Sequence, residues 1–199
     1  MVQYNREMRF KWFVSWVWAF PVLKVLTGIQ IQGTVPKQGP YIIACNHVSF
    51  LDPPIVGITA FREVFFLAKI GLFQGWKAFG WLIRNYNAIP ISNTQGLRTG
   101  VKLLRRGHAV VIFPEGTRSR KGYMLPFNPG VSYLSLRMGI PIIPAYIRHS
   151  NKRFMSLVLR INTLKITYGA PIKPGRWGVD AKNIELYGQK IREEVLKLQ

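Results

Sequence analysis

From Gly33 onward, short apolar runs alternate with amphipathic stretches of helical period, and this alternation constrains the chain more than any other feature. Tyr41–Cys45, Val64–Ala68, Ala88–Ile91, Ala109–Phe113, Pro141–Ile147 and Leu164–Tyr168 have the length and composition of strands, with Pro141 tolerated at a strand's first position. Between and after them, Gly71–Ile83, Thr94–Arg106 and Gly130–Met138 read as helices, the last two stopped by Gly107 and Gly139. In Asp180–Leu198 the apolar residues Ile184, Tyr187, Ile191, Val195 and Leu198 recur at spacings of three and four, so this segment reads as an amphipathic helix packed on the body. Strands alternating with helices imply an α/β fold: a mixed, largely parallel sheet flanked by helices. The 199 residues suffice for one domain with a substantial core, and no repeat, low-complexity tract or linker divides them.

The N-terminus has a different character. Arg6, Arg9 and Lys11 precede Trp12–Leu23, in which Ser15 is the lone polar residue. A bilayer span needs about 20 apolar residues, and this run ends sooner, at Lys24. No small-residue cleavage site follows it, so a signal peptide is not indicated. Trp12, Trp16, Trp18 and Phe20 suit a membrane–water interface, and Phe13 is placed there with them. The expectation is a membrane-interfacial helix in residues 1–28 ahead of a catalytic domain in 29–199, with a core helix and a tilted span as alternatives.

Charge points the same way. Lys and Arg number 28 against 8 Asp and Glu, a net charge of +20, which calls for an anionic partner. The basic residues are spread rather than grouped into a recognition motif, and the hydrophobic fraction is 48% with six tryptophans. An anionic membrane surface therefore fits better than nucleic acid. A single cysteine, Cys45, excludes an internal disulfide, fits a reducing compartment, and reads as a small buried residue rather than a nucleophile.

Two segments that follow strands carry the chemistry. In Asn46-His47-Val48-Ser49-Phe50-Leu51-Asp52, Asp52 can fold back onto one ring nitrogen of His47, fixing its tautomer and leaving the other nitrogen to take a proton. On spacing alone, a structural histidine beside a helix-capping aspartate is the favoured reading of the pair. In Phe113-Pro114-Glu115-Gly116-Thr117-Arg118-Ser119, Gly116 permits a turn, Thr117 and Ser119 offer hydroxyls, and Arg118 can grip a phosphate with two parallel bonds. Glu115 reads as a local orienting acceptor, and Arg120 and Lys121 deepen the positive field. His108 and His149 lack a nearby carboxylate partner and are assigned no chemistry, and no metal-ligand spacing is present.

These blocks resemble the NHxSxxD and FPEGTRS motifs of the glycerolipid acyltransferases, in the same order and separation, and Ile140-Pro141-Ile142-Ile143-Pro144-Ala145 is similar to that family's fourth motif. The resemblance spans roughly Ile31 to Pro171 and looks bacterial. It implies a general base at His47 oriented by Asp52, and an acceptor phosphate held by Arg118 with Gly116 and Thr117, Glu115 supporting. Lys69, opening Lys69-Ile70-Gly71-Leu72-Phe73, matches the lysine of the family's second region. It further implies transfer of an acyl group from a thioester, acyl-CoA or acyl carrier protein, to the free hydroxyl of lysophosphatidic acid, without an acyl-enzyme and without metal or cofactor. The expected location is the cytoplasmic face of the cell membrane, monotopic or peripheral.

Three departures remove charges: Gly71 where the family has an acid, Ser92-Asn93 for an Asp-Arg pair, and Asn128 for a lysine. They keep another lysophospholipid or a lyso-aminolipid open as acceptor, with Arg98 a possible replacement for the lost arginine. An esterase is disfavoured because Gly130-Val131-Ser132-Tyr133-Leu134 lacks the second glycine of a nucleophile elbow. An inactive membrane-surface protein is disfavoured by the intact His47 and Asp52. Leu72–Trp81 is read either as a wall for the acyl chain or as ordinary core.

Overall fold

The computed structural model describes residues 12–74, 77–92, 95–119, 123–152, 154–159 and 161–199. Seven strands form one sheet in the order β1-β7-β6-β2-β5-β3-β4. They are β1 (Gln30–Gln32), β2 (Tyr41–Cys45), β3 (Val64–Lys69), β4 (Ala88–Ile91), β5 (Ala109–Ile112), β6 (Ile142–Arg148) and β7 (Lys165–Tyr168). Every neighbouring pair is parallel except β6 with β7. The mixed, largely parallel sheet read from the sequence is therefore the observed one. Every residue of the central strand β2 is buried, as an apolar run covered on both faces must be.

The helices divide between the two faces. α2 (Asp52–Thr59) and the N-terminal helix lie over the core that contains Ile43, Cys45, Val111 and Ile143. α4 (Gly96–Arg105), α5 (Gly130–Met138) and α7 (Ala181–Leu196) cover the opposite core, around Ile42, Val110, Leu134 and Ile191. The connection from β2 runs through α2 on one face toward β3. The connection from the adjacent strand β5 runs through α5 on the other face toward β6. Loops that leave neighbouring strands in opposite directions open a crevice at the strands' carboxyl ends. The segments beginning at Asn46 and at Phe113 are the two lips of that crevice.

Several elements differ from the sequence reading. Gly71–Ile83 is not one helix: a 3₁₀ turn at Ile70–Phe73 is followed by α3 (Lys77–Asn85). The strand β1 and the short helix α6 (Phe154–Val158) were not anticipated. Three residues of alternating exposure at a sheet edge carry no periodic signal, and β1 exists because β7 supplies its hydrogen bonds.

The N-terminal helix also departs from expectation. It is helical from Trp12, widens into a π-helical turn at Ser15–Ala19 and continues as α1 (Phe20–Thr27), ending at left-handed Gly28. Pro21 explains the widening, because it has no N–H to give to Val17 and its ring would strike that carbonyl in a regular helix. Trp12, expected at the interface, is instead buried in the core at 2% exposure. Trp16, Phe20 and Leu23 pack against the same cluster. The Trp12 ring meets Tyr86 edge-on at 5.6 Å, and a Cβ at Gly57 would approach it to 2.9 Å, so the crossing of α2 requires glycine there. A run that is apolar all round can fill the core with one face and still present apolar residues outward; here Phe13, Val17, Trp18, Val22 and Val25 face out. Arg6, Arg9 and Lys11 lie outside the described residues.

Trp12→Ala should destabilise the protein by about 3–5 kcal/mol, the usual cost of truncating a buried tryptophan. Denaturant unfolding of detergent-solubilised protein measures this, and an unchanged midpoint would mean that the helix is detached from the core.

Candidate active site

β2 ends at Cys45, and the next residue locks the strand to its neighbour. Asn46 Nδ2 donates to the Ile147 carbonyl at 3.0 Å, while Asn46 Oδ1 accepts the Ile147 N–H at 2.7 Å. This two-point clamp, made by a buried amide between β2 and β6, fixes where His47 leaves the sheet. The Cys45 thiol beneath it is fully buried, and burial first, then the charges of Asp52 and Glu115, push it well above the ordinary thiol range. It is the packing residue read from the sequence.

His47 and Asp52 meet as anticipated, Nδ1 to Oδ2 at 2.8 Å. The same Oδ2 accepts the N–H groups of Val48 and Ser49, each at 2.7 Å, and Oδ1 accepts from Ser150 Oγ at 2.5 Å. Asp52 has no exposed surface, so these donors replace its hydration. It also occupies the first turn of α2, where backbone N–H groups favour negative charge. An acceptor-only carboxylate at Nδ1 requires that nitrogen to carry the proton, which leaves a lone pair on Nε2. The ring stacks on Phe113 at 4.3 Å between centroids, and its side chain is 18% exposed. A base held this way can accept a proton from a hydroxyl presented at Nε2.

The second segment grips the first through the backbone. Glu115 Oε1 accepts the His47 N–H at 2.7 Å, and the Ser119 N–H donates to the His47 carbonyl, also at 2.7 Å. Glu115 Oε2 accepts the Leu125 N–H at 2.8 Å. Glu115 is thus a buried brace whose two oxygens are both engaged, not a group facing a ligand. Burial raises its carboxyl above the ordinary glutamate range, opposed by the Leu125 and His47 N–H groups. Arg192 of α7 holds the same segment by donating to the Met124 carbonyl at 3.0 Å.

Gly116 and Thr117 are exposed at the lip of the crevice. Gly116 is left-handed at φ 67°, and a Cβ there would strike the Asn128 amide at 2.6 Å. Asn128, at the position of the lost lysine, donates its side-chain amide to the Pro114 carbonyl and so serves the turn rather than the crevice. The Arg118 guanidinium lies 3.4 Å over the centre of the Phe50 ring, a further contact between the two lips. Lys69 is exposed at the end of β3, on the same edge of the sheet, one strand beyond β5. Arg98 is exposed on α4. Arg120 and Lys121, and Asn93 of the altered second region, lie outside the described residues. Within the aromatic stretch from Leu72, Trp81 is exposed at 68%, which excludes plain core for that residue. Among the described residues no cluster of metal ligands occurs.

Sequence reasoning missed Ser150 and the Asn46 clamp. Ser150 lies 98 residues from Asp52 with no motif around it, and only the pairing of β2 with β6 brings it near.

The turn that carries Arg118 and the pair formed by His47 and the buried Asp52 thus lie side by side at the carboxyl ends of β5 and β2. The family model described as Acyltransferase matches residues 28–148, and the chain belongs to that family. It is 29% identical over 162 residues to the chloroplastic 1-acyl-sn-glycerol-3-phosphate acyltransferase of Brassica napus, covering 75% of this chain and 45% of that protein. It is 27% identical over 150 residues to the 1-acyl-sn-glycerol-3-phosphate acyltransferase of Borreliella burgdorferi, covering 72% and 58%. The chain thus spans about half the length of these relatives. The crystal structure of the 1-acyl-sn-glycerophosphate acyltransferase of Thermotoga maritima shares the fold with a TM-score of 0.76 at 20% identity, over 99% of this chain and 84% of that one.

Glu115→Gln turns an amide NH₂ toward one of the two N–H groups that the carboxylate now accepts. A mispaired buried donor costs about 1–3 kcal/mol, and unfolding at neutral pH should show a loss of that size. Because burial raises this carboxyl, the folded state holds its proton more tightly than the unfolded chain. Its contribution is full below the unfolded glutamate pKa and lost as pH rises through the raised value. The variant should lack that downward slope in stability against pH.

Proposed function

We propose that this chain is a 1-acylglycerol-3-phosphate O-acyltransferase of phospholipid biosynthesis, converting lysophosphatidic acid to phosphatidic acid. The observation that carries the reading is the interlock of the two segments: His47 is fixed by Asp52 through its ring and by Glu115 and Ser119 through its backbone. In this reading Nε2 takes the proton of the acceptor's free hydroxyl as its oxygen attacks the thioester carbonyl. The tetrahedral adduct collapses with cleavage of the C–S bond, and the departing thiolate receives the proton from the imidazolium. No acyl-enzyme forms. Arg118, with Gly116 and Thr117, holds the acceptor phosphate by charge-assisted hydrogen bonds, and Lys69 adds positive charge. The donor, acyl-CoA or acyl carrier protein, is anionic and is drawn by a chain of net charge +20. A different lysolipid acceptor is the second reading, favoured by Asn128, whose amide is spent on Pro114 instead of a charge facing the ligand.

The partner surface in this reading is an anionic membrane, met from its cytoplasmic face. Phe13, Val17, Trp18, Val22 and Val25 point outward from the N-terminal helix, with exposed Lys24 among them. α6 packs on α1, and exposed Met155, Leu159 and Ile161 extend the apolar surface. Among the described residues no helix is long and apolar enough to cross a membrane. This supports residues 12–28 lying on a bilayer by one face while the other stays in the core.

Purified protein given acyl-CoA or acyl carrier protein and a panel of lysolipids should yield phosphatidic acid by mass spectrometry. Product from another lysolipid alone would select the second reading. His47→Ala should lower kcat by about 10²- to 10⁴-fold, the range for a positioned base. Arg118→Ala should lower acceptor kcat/KM by roughly 10- to 150-fold, as loss of a bond worth about 1.5–3 kcal/mol implies. Arg118→Lys should recover part of it.

Replacing Trp18 and Val25 together by Glu should abolish flotation with anionic liposomes while leaving turnover of short-chain soluble substrates intact. Unchanged flotation would place the membrane contact elsewhere.

A further inference from the structure

The Asp52 carboxylate is held asymmetrically. Oδ2 takes three N–H donors, from the His47 ring and from the backbone of Val48 and Ser49. Among the described residues, the donor to Oδ1 is the hydroxyl of Ser150 at 2.5 Å. Both groups are shut off from solvent, Asp52 at 0% and Ser150 at 2% exposure. Water cannot readily take the place of the hydroxyl there, and a buried carboxylate oxygen without a donor is costly. The hydroxyl is itself well fixed. It follows β6 at a corner made by His149, whose φ is 68° and whose Nδ1 bonds the Thr163 carbonyl at 3.0 Å. The Lys152 N–H closes the turn onto the His149 carbonyl at 3.1 Å. The Asn46 clamp on Ile147 sets the register between the strand that precedes His47 and the strand that precedes Ser150.

We propose that Ser150 is a positioning residue of the acyl-transfer reaction, fixing the rotation of the Asp52 carboxylate so that Oδ2 stays in the plane and direction that the His47 ring requires. This rests on the reading of His47 as base and Asp52 as its orienting partner. Ser150 acts through Asp52 and touches neither substrate. Without its hydroxyl the carboxylate turns about its Cβ–Cγ bond in search of a donor for Oδ1. Oδ2 then leaves Nδ1, and the ring loses the tautomer that puts the lone pair on Nε2.

The test is steady-state kinetics with acyl-CoA and lysophosphatidic acid on the wild type, Ser150→Ala, Ser150→Thr, Asp52→Asn and the Asp52→Asn/Ser150→Ala double variant. Ser150→Ala should lower kcat by about 10- to 100-fold, in line with loss of a charge-assisted bond, with both KM values unchanged. Ser150→Thr, which keeps the hydroxyl, should recover activity to within about threefold of the wild type, the remainder reflecting the fit of its extra methyl. The double variant should be no slower than Asp52→Asn, because residues acting through one group are not additive. Should Ser150→Ala fail to fold, Ser150→Cys keeps the shape with a weak donor and should show the same fall in kcat. Wild-type kcat in Ser150→Ala, a further full loss in the double variant, or equal rates for the Cys and Thr variants would each overturn the proposal. Wild-type activity in Asp52→Asn would instead overturn the dyad reading itself.

Discussion

A carboxylate without solvent contact dictates the arrangement of this site. Asp52 is ionic, fully buried and at the start of a helix, so every lone pair it directs into the protein needs a donor. Its donors come from the His47 ring, the backbone that follows it, and a serine beyond β6. Those groups cannot move independently without stranding the charge. Glu115 imposes the same condition from the other lip, tying the His47 backbone to Leu125. Two buried carboxylates, each bridging segments distant in sequence, thus hold a histidine that would otherwise ride on a free loop. A proton-transfer group gains from such rigidity, since misplacement of about 1 Å can cost on the order of a hundredfold in rate.

The sheet order makes this convergence possible. β2 is hydrogen-bonded to β5 on one side and β6 on the other, although each of those strands lies far along the chain. The loops after all three strands therefore emerge at one edge, within roughly one strand spacing of about 4.8 Å of their neighbours. His47 comes from the first, Glu115 and Arg118 from the second, and Ser150 from the third. The opposite sense of the β2 and β5 connections opens the space between them.

Much of this was legible in the sequence, for definable reasons. The strands from β2 onward announced themselves because a strand covered on both faces must be apolar throughout, as Tyr41–Cys45 is. His47 and Asp52 were legible because a five-residue offset is local. Ser150 was not, because its approach to Asp52 depends on strand pairing that one sequence does not encode as a pattern. β1 was hidden by its length and polar edge, and α6 by having only five residues. Trp12 was placed at an interface because periodicity cannot tell two apolar faces apart; Gly57, which admits its ring, carries no signal until α2 is known to lie beneath it. Glu115 was recognised as an orienting acceptor, but the atoms it orients, the N–H groups of His47 and Leu125, become visible only in the fold.

The contact between Arg118 and Phe50 bears on how such a site could tolerate its altered charges. Phe50 belongs to the loop that carries the histidine, and Arg118 to the turn that carries the cation. A guanidinium over an aromatic face is attracted by the ring's negative quadrupole, which supplies part of what hydration would have given. Phe50 is half-exposed, so the stack is at the mouth, where a ligand anion can reach it without a large desolvation cost. Phe50 and His47 lie on one short loop that ends at Asp52 in the first turn of α2, and the Arg118–Phe50 contact joins that loop to the neighbouring turn. The lost charges of the second region and of Asn128 lie outside that loop. In the proposed reading these departures change the charge around the acceptor while His47, Asp52 and Arg118 are all kept, and so bear on which acceptor is preferred.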